Sequence, residues 1–98
     1  MQIEKKIENN VVCISLDGRL DTVTAPLLEN ELHGKLDSVT ELDFDFSKLS
    51  YISSAGLRVL LLAQKIMNKQ GKMRVTNVNE VVMDVFDVTG FADILTIE

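Results

Sequence analysis

The sequence predicts an α/β domain in which helices cover one face of a mixed, mostly parallel sheet. Strand-like and helix-like segments alternate along the 98 residues in the order β-β-α-β-α-β-α, which is typical of parallel strands joined by right-handed crossovers. Two segments expected inside the sheet, residues 41–46 and 72–78, alternate apolar with charged or polar side chains. Since a parallel sheet covered on both faces needs strands that are apolar on both sides, we expect a two-layer arrangement with one wet face.

The first two predicted strands form a hairpin. Residues 3–8 alternate apolar with polar side chains, and residues 9–10 are a pair of asparagines that favours a turn. Residues 11–16 are mostly apolar and end at an Asp-Gly pair. Cys13 is the only cysteine and lies inside this apolar run. We therefore expect no internal disulfide and a buried, unreactive thiol.

The first helix is predicted to begin at Thr24, which can cap it, with Pro26 in its first turn. Leucines then recur every four residues and mark one face of a helix that ends near residue 37: Leu28, Leu32 and Leu36. The strand at residues 41–46 follows, and residues 47–52 read as a short connection. The two outward aspartates of that strand are expected to face two cations of the strand at residues 72–78, each pair contributing ~0.2–1 kcal/mol: Asp43, Asp45, Lys72 and Arg74.

The second helix is the longest predicted element. Ser53 or Ser54 caps it, it extends to about Gln70, and Gly71 ends it. Asn79 caps a third helix at residues 80–89, which Gly90 closes. Residues 96–98 are a candidate edge strand.

The start of the second helix is crowded with small side chains, Ser53-Ser54-Ala55-Gly56. A glycine inside a helix costs up to ~1 kcal/mol relative to alanine, so its presence needs a reason. One interpretation is that small residues leave the backbone accessible to a closely approaching partner. The other is capping combined with tight packing of the helix on a strand.

The second helix also carries more apolar surface than one contact requires. One stripe is expected to face the sheet: Leu57, Leu60, Leu61 and Gln64. A second stripe lies beside it: Ala55, Val59, Leu62 and Ile66. The second stripe either packs on a neighbouring helix or is partly exposed for a partner protein.

A serine at a helix N-terminus is a physically reasonable phosphorylation site, because the helix dipole and the free N–H groups favour an anion there. A phosphate adds about 1.5–2 negative charges. In the middle of an apolar binding surface that charge would oppose docking, so the serine can switch association off.

Other chemistry finds little support in the residues. His33 is the only histidine and is expected mid-helix and exposed, and no Gly-x-Ser-x-Gly elbow accompanies it. We find no metal-ligand spacing and no nucleotide-binding loop, and we expect no metal, no cofactor and no enzymatic activity. The net charge is −5 and the ten basic residues are scattered, which argues against direct nucleic-acid binding. No membrane span or signal peptide is recognisable, so the expected location is the cytoplasm.

Three segments carry a resemblance to a known family: Gly-Arg-Leu-Asp at residues 18–21, Leu-Ser-Tyr-Ile-Ser-Ser-Ala-Gly-Leu at residues 49–57, and Phe-Asp-Val-Thr-Gly-Phe at residues 86–91. In order and spacing they resemble the STAS domain of bacterial anti-sigma factor antagonists, and residues 1–98 read as one such domain. The resemblance implies the family's (βα) superhelical fold, with helices on one side of the sheet.

The resemblance also implies a partner-switching role. An unphosphorylated family member binds an anti-sigma factor that is typically also a serine kinase with a GHKL-type ATP site, phosphorylation ends the binding, and a serine phosphatase resets the cycle. Ser54 matches the acceptor position, while Ser53 replaces the usual aspartate and is a second, weaker candidate acceptor. The implied partner-binding residues are Asp21, Ser53, Ser54, Ala55, Gly56, Arg58, Val59 and Leu62. The alternative is a STAS subunit that never cycles and has a structural or regulatory role in a transporter or stress-signalling assembly.

Overall fold

A four-stranded sheet in the order β1-β2-β3-β4 forms one layer of the protein. The computed structural model describes residues 1–98. The strands are β1 Gln2–Glu8, β2 Val11–Leu20, β3 Glu41–Ile52 and β4 Lys72–Thr76. β1 pairs antiparallel with β2, whereas β2 with β3 and β3 with β4 pair in parallel. The predicted mixed, mostly parallel sheet is confirmed.

Three helices form the second layer, α1 Ala25–Leu32, α2 Ser54–Gln70 and α3 Glu80–Thr89, and a 3-10 turn follows at Phe91–Asp93. The element order therefore agrees with the alternation read from the sequence. None of these helices combines the length and the apolar character needed to cross a lipid bilayer.

The core lies between the sheet and the helices. Alternate residues of β2, β3 and β4 are buried there: Val12, Ile14, Leu16, Leu42, Phe44, Phe46, Met73 and Val75. The Phe46 ring lies 5.9 Å from that of Phe44 on the same strand and 6.4 Å from that of Phe86 on α3. These contacts attach the helical layer to one face of the sheet, as the one-sided polar alternation of the strands predicts.

The opposite face of the sheet is open and charged. Arg74 donates two hydrogen bonds of 2.9 Å to the Asp43 carboxylate, which raise the pKa of the guanidinium. The pairing of Asp43 with Arg74 was predicted. The predicted pairing of Asp45 with Lys72 was wrong, because the register places Asp45 opposite Thr76 and Glu41 opposite Lys72. Lys72 accordingly pairs with Glu41 at 3.4 Å. Asp45 instead accepts hydrogen bonds from Asn77 and from the Ser47 N–H, which lower its pKa.

Cys13 lies on this open face and is exposed, so the prediction of a buried thiol was wrong. Its neighbours Val12 and Ile14 point into the core, and strand geometry directs the side chain between them the other way. Partial burial against the sheet, and then the nearby Asp43 carboxylate, raise the pKa of the thiol.

Several predicted boundaries differ from the structure. β2 continues past the Asp-Gly pair to Leu20, and β4 ends at Thr76 rather than at residue 78. α1 stops at Leu32, so His33 is exposed after the helix rather than within it, and Thr24 precedes α1 without a side-chain cap. β3 continues through the predicted connection to Ile52. Residues 96–98 form only an isolated bridge, between Ile97 and Val75. The predicted ends of α3 are confirmed, because the Asn79 side chain accepts the Val82 N–H and Gly90 adopts a φ of 82°.

Candidate functional site

The candidate site lies at the edge of the sheet where β2 and β3 both end. The two strands run in parallel, and their last residues, Leu20 and Ile52, are register partners. The Ser53 N–H donates a hydrogen bond of 2.9 Å to the Leu20 carbonyl, which continues the pairing one residue further. The loop that starts at Asp21 and the first turn of α2 are therefore neighbours, although they are about thirty residues apart in the sequence.

Ser54 is the first residue of the 17-residue helix α2, and it is exposed. The first helical hydrogen bond joins the Leu57 N–H to the Ser53 carbonyl at 2.9 Å, and no side chain caps the helix. The N–H groups of residues 54–56 consequently have no helical acceptor. Together with the helix dipole, these free donors stabilise negative charge at this end of α2.

Ser53 has a different environment from its neighbour. Its backbone is extended, with φ −103° and ψ 177°, and its hydroxyl oxygen is buried without a hydrogen-bond partner. The oxygen of Ser53 is therefore hidden from an approaching enzyme while Ser54 is open to solvent. Of the two serines that the sequence offers as acceptors, the geometry favours Ser54.

Gly56 is buried against the ends of the two strands. A Cβ at this position would lie 2.7 Å from Cγ of Leu20 and 2.9 Å from Cγ1 of Ile52. The small residue thus allows α2 to pack closely on the sheet. The burial of Gly56 favours the packing interpretation of the small residues, and its place among the partner-binding residues stays a prediction.

Val59 is also part of the core, with only 3% of its surface exposed. It packs on the inner side of α2, which contacts α1, and it borders the groove between the two helices. Its inclusion among the partner-binding residues stays a prediction. Ala55 is half-buried and packs against the same core. Within the predicted apolar stripe, the residues that reach solvent are Leu62 and Ile66, each 40% exposed.

Four of the exposed residues of α2 follow a four-residue spacing, from Ser54 through Arg58 and Leu62 to Ile66. Residues four apart lie on the same side of a helix. We call these four residues the docking stripe. It combines a hydroxyl, a cation and two apolar side chains on one continuous surface.

Asp21 organises the loop beside Ser54. Its carboxylate accepts hydrogen bonds from the backbone N–H groups of Val23 at 3.0 Å and Thr24 at 3.1 Å. The bond from Thr24 is the main cause that lowers the pKa of Asp21, and Arg19, 3.8 Å away, adds to the effect. The site thus contains a fixed carboxylate next to the exposed serine.

Two exposed apolar residues near this edge were missed in the sequence. Val23, in the Asp21 loop, is 80% exposed, and Leu27 on α1 is 49% exposed. A groove of about 170 Å³ also runs between α1 and α2, and Leu32, Leu62 and Ile66 contribute to its walls. The signal for Leu27 was available, since it lies off the face marked by the four-residue leucine repeat.

The protein has no group of three or more histidine, cysteine, aspartate or glutamate side chains placed to hold a metal ion. A depression of about 350 Å³ lies on the open sheet face, with Cys13, Asp43 and Arg74 among its walls. Asp43 and Arg74 bond each other in this depression, whereas Glu4 and Lys6 at its border form no ion pair within the chain.

A family model described as the STAS domain matches residues 2–98. The chain is 29% identical over 98 residues to the anti-sigma-B factor antagonist of Bacillus subtilis, and the alignment covers 99% of this chain and 90% of the relative. It is 36% identical over 84 residues to a candidate anti-sigma factor antagonist of Bordetella bronchiseptica, covering 84% of this chain and 72% of the relative.

The fold also matches solved structures of the Bacillus anti-sigma factor antagonist SpoIIAA. The unphosphorylated form gives a TM-score of 0.78 at 18% identity, over 99% of this chain and 87% of that one. The phosphorylated form gives a TM-score of 0.78 at 19% identity, over 99% of this chain and 91% of that one. At these identities the likeness concerns the fold.

Proposed function

Because this chain belongs to the STAS domain family, we propose that it is an anti-sigma factor antagonist that docks on its partner through the N-terminal half of α2. The observation that carries the proposal is the exposed Ser54 at the first turn of α2, beside the Asp21 loop and at the head of the docking stripe. Several relatives are anti-sigma factor antagonists, and this supports an anti-sigma factor as the partner.

The docking stripe supplies what a protein partner needs. Leu62 and Ile66 offer apolar area that is removed from water on contact, and Arg58 offers a cation one helical turn from Ser54. Val23 and Leu27 extend the apolar area across the Asp21 loop and α1. With Ser54 unmodified, the first residue of the stripe is neutral, and the surface is suited to association.

We propose that phosphorylation of Ser54 ends this association. The kinase transfers the γ-phosphoryl group of ATP to the Ser54 oxygen, the hydroxyl proton is lost, and ADP leaves. The product carries about two more negative charges in the contact area. Docking would then require the removal of water from a dianion close to the Asp21 carboxylate, which opposes binding through desolvation and repulsion.

The proposed kinase is the anti-sigma factor itself, with a GHKL-type ATP site, and the proposed reverse step is hydrolysis by a serine phosphatase. Ser53 stands where the family usually has an aspartate, so the acceptor has one neighbouring carboxylate fewer. The fixed carboxylate that remains nearby is Asp21, whose lowered pKa keeps it ionised at neutral pH. We propose that Asp21 orients the partner at this edge.

The test begins with the anti-sigma factor kinase recovered by pull-down from the native cell. The purified chain is incubated with this kinase and ATP, the phosphosite is mapped by mass spectrometry, and binding is measured by calorimetry. We expect phosphate on Ser54, no phosphate on a Ser54→Ala variant that still binds, and weakened binding by Ser54→Asp. Absence of phosphate together with unchanged binding by Ser54→Asp would contradict the switch and favour the non-cycling subunit.

A further inference from the structure

β1 is an edge strand whose outer side has no neighbour. The sheet ends at β1 on one side, and the backbone groups that face away from β2 along its seven residues have no partner strand. Exposed edges of this kind are templates for pairing with another chain. Ile7, 65% exposed, lies on this strand, so the edge also presents apolar surface to solvent.

The side chains of β1 divide between the two faces of the sheet. Ile3, Lys5 and Ile7 are opposite the buried residues of β2 and lie on the helix side. Lys5 is held there by Glu31 of α1 at 3.2 Å. Glu4 and Lys6 lie on the open side, where both border the shallow depression of that face, and neither forms an ion pair within the chain.

An antiparallel pairing of two β1 strands has one register that pairs Glu4 with Lys6 and keeps all helices on the same side. With Lys5 opposite Lys5 of the second copy, Glu4 faces Lys6 twice and Ile3 faces Ile7 twice. A shift by two residues in either direction places Glu4 opposite a glutamate instead. Directly opposed like charges destabilise a strand pair, whereas opposite charges and apolar pairs stabilise it.

We propose that β1 is the interface of a symmetric homodimer in this register, with the two sheets joined edge to edge. Lysines on an edge strand often serve to prevent pairing. Here Lys6 meets Glu4 of the other copy, and each Lys5 keeps Glu31 of its own chain as a counter-ion. Ile7, which lies beside Val12 in its own sheet, gains a second apolar neighbour in Ile3 of the other copy.

The inference goes beyond the proposed function, because no residue of β1 belongs to the docking stripe. Each copy in the dimer keeps its own Ser54 surface. The paired segment spans seven residues in each chain. A contact of this length buries less surface than a standard interface, which buries about 1,600 Å². The dimer should therefore be weak and dependent on protein concentration.

Sedimentation equilibrium of the full chain over a concentration series tests the proposal. Lys6→Glu and Glu4→Lys each create two repulsive pairs, and each should raise the dimer dissociation constant about tenfold or more. Mixing these two variants restores both ion pairs between unlike copies, and the double variant E4K/K6E restores them between like copies. Dimer should therefore return in both cases.

The matched control for Lys6→Glu is Lys69→Glu, which makes the same change in net charge at an exposed position near the end of α2. It should leave the dimer unchanged, and melting temperatures should show that every variant is folded. A wild-type chain that stays monomeric at millimolar concentration would overturn the proposal. So would a dimer that Lys6→Glu weakens no more than Lys69→Glu does.

A second measurement fixes the register. In a Cys13→Ser background, Lys5→Cys places two thiols across the symmetry axis, where opposed Cα atoms are about 4.5–5.5 Å apart and within the ~4.4–6.8 Å range of a disulfide. Oxidation should crosslink this variant and leave an Ile7→Cys control uncrosslinked, because position 7 faces position 3. Efficient crosslinking at position 7 would overturn the register.

Discussion

The open face of the sheet and the edge where β2 and β3 end are both polar, but they differ in how their polar groups are satisfied. On the open face, Arg74 and Asp43 bond each other through two contacts of 2.9 Å, and Asp45 accepts from Asn77 at 3.0 Å. At the edge, Ser54 is exposed and the first N–H groups of α2 lack helical acceptors. Groups that satisfy each other stabilise the fold, whereas groups left open are available to a partner.

The largest expected effect separates the inner and outer sides of α2. Val59→Asp buries an unpaired carboxylate in the core, where Val59 is 3% exposed, and should lower the free energy of unfolding by more than about 3 kcal/mol. Leu62→Asp, at a position 40% exposed, should change it by less than about 1 kcal/mol and still abolish partner binding. Urea unfolding and calorimetric binding check both variants. A collapse of Leu62→Asp would remove that residue from the docking stripe.

Gly56→Ala should have the next largest effect, because the added methyl group would approach Leu20 to 2.7 Å and force α2 away from the strands. Overpacking of this kind typically costs about 1–3 kcal/mol, of which better helix propensity returns up to ~1 kcal/mol. The melting temperature measures it, and the difference between Lys65→Ala and Lys65→Gly, at an exposed position of α2, gives the effect of propensity alone. An unchanged melting temperature for Gly56→Ala would mean that the close contact is easily relieved.

The two aspartates with lowered pKa give a matched pair, one in each region. Asp21→Asn should weaken partner binding, because the loop beside Ser54 loses its fixed carboxylate. Asp45→Asn should leave binding unchanged, since its hydrogen bonds to Ser47 and Asn77 serve the open face. Equal binding losses in the two variants would show that the open face also takes part in docking.

The smallest expected effect is a dependence of stability on pH. Hydrogen bonds lower the pKa of Asp21 and Asp45 below the unfolded value of about 3.9. Their contribution to stability is therefore present above the unfolded pKa and is lost as the pH falls through the folded pKa. Urea unfolding between neutral and strongly acidic pH should show this loss, and the double variant Asp21→Asn/Asp45→Asn should lose less stability over the same range.

Much of the fold could be predicted because strand periodicity reports burial directly. The alternation of residues 41–46 gave the one-sided sheet correctly. The same rule was obscured at Cys13, where four consecutive apolar residues conceal which one points outward. It also missed the second half of β3, because register shifts in the pairing with β2 break the two-residue period. Leu49 and Ile52 are then buried at three-residue spacing.

The candidate site was predictable where it depends on local sequence. The exposure of Ser54 follows from its place at the start of a helix. The roles of Gly56 and Val59 depend instead on residues distant in the sequence, since Leu20 and Ile52 decide what fits at position 56 and α1 covers α2 near position 59. The pattern within α2 leaves close packing and partner access open as alternatives, and only these distant residues decide between them.

The close packing of Gly56 on the ends of β2 and β3 has a consequence for signalling. Because the first turn of α2 is held within contact distance of Leu20 and Ile52, the helix has little freedom to tilt or slide when a group is attached two residues earlier. Phosphorylation of Ser54 should then change the charge of the surface without moving α2. Backbone amide shifts of the modified protein would change around residues 21–24 and 53–58 and stay constant elsewhere.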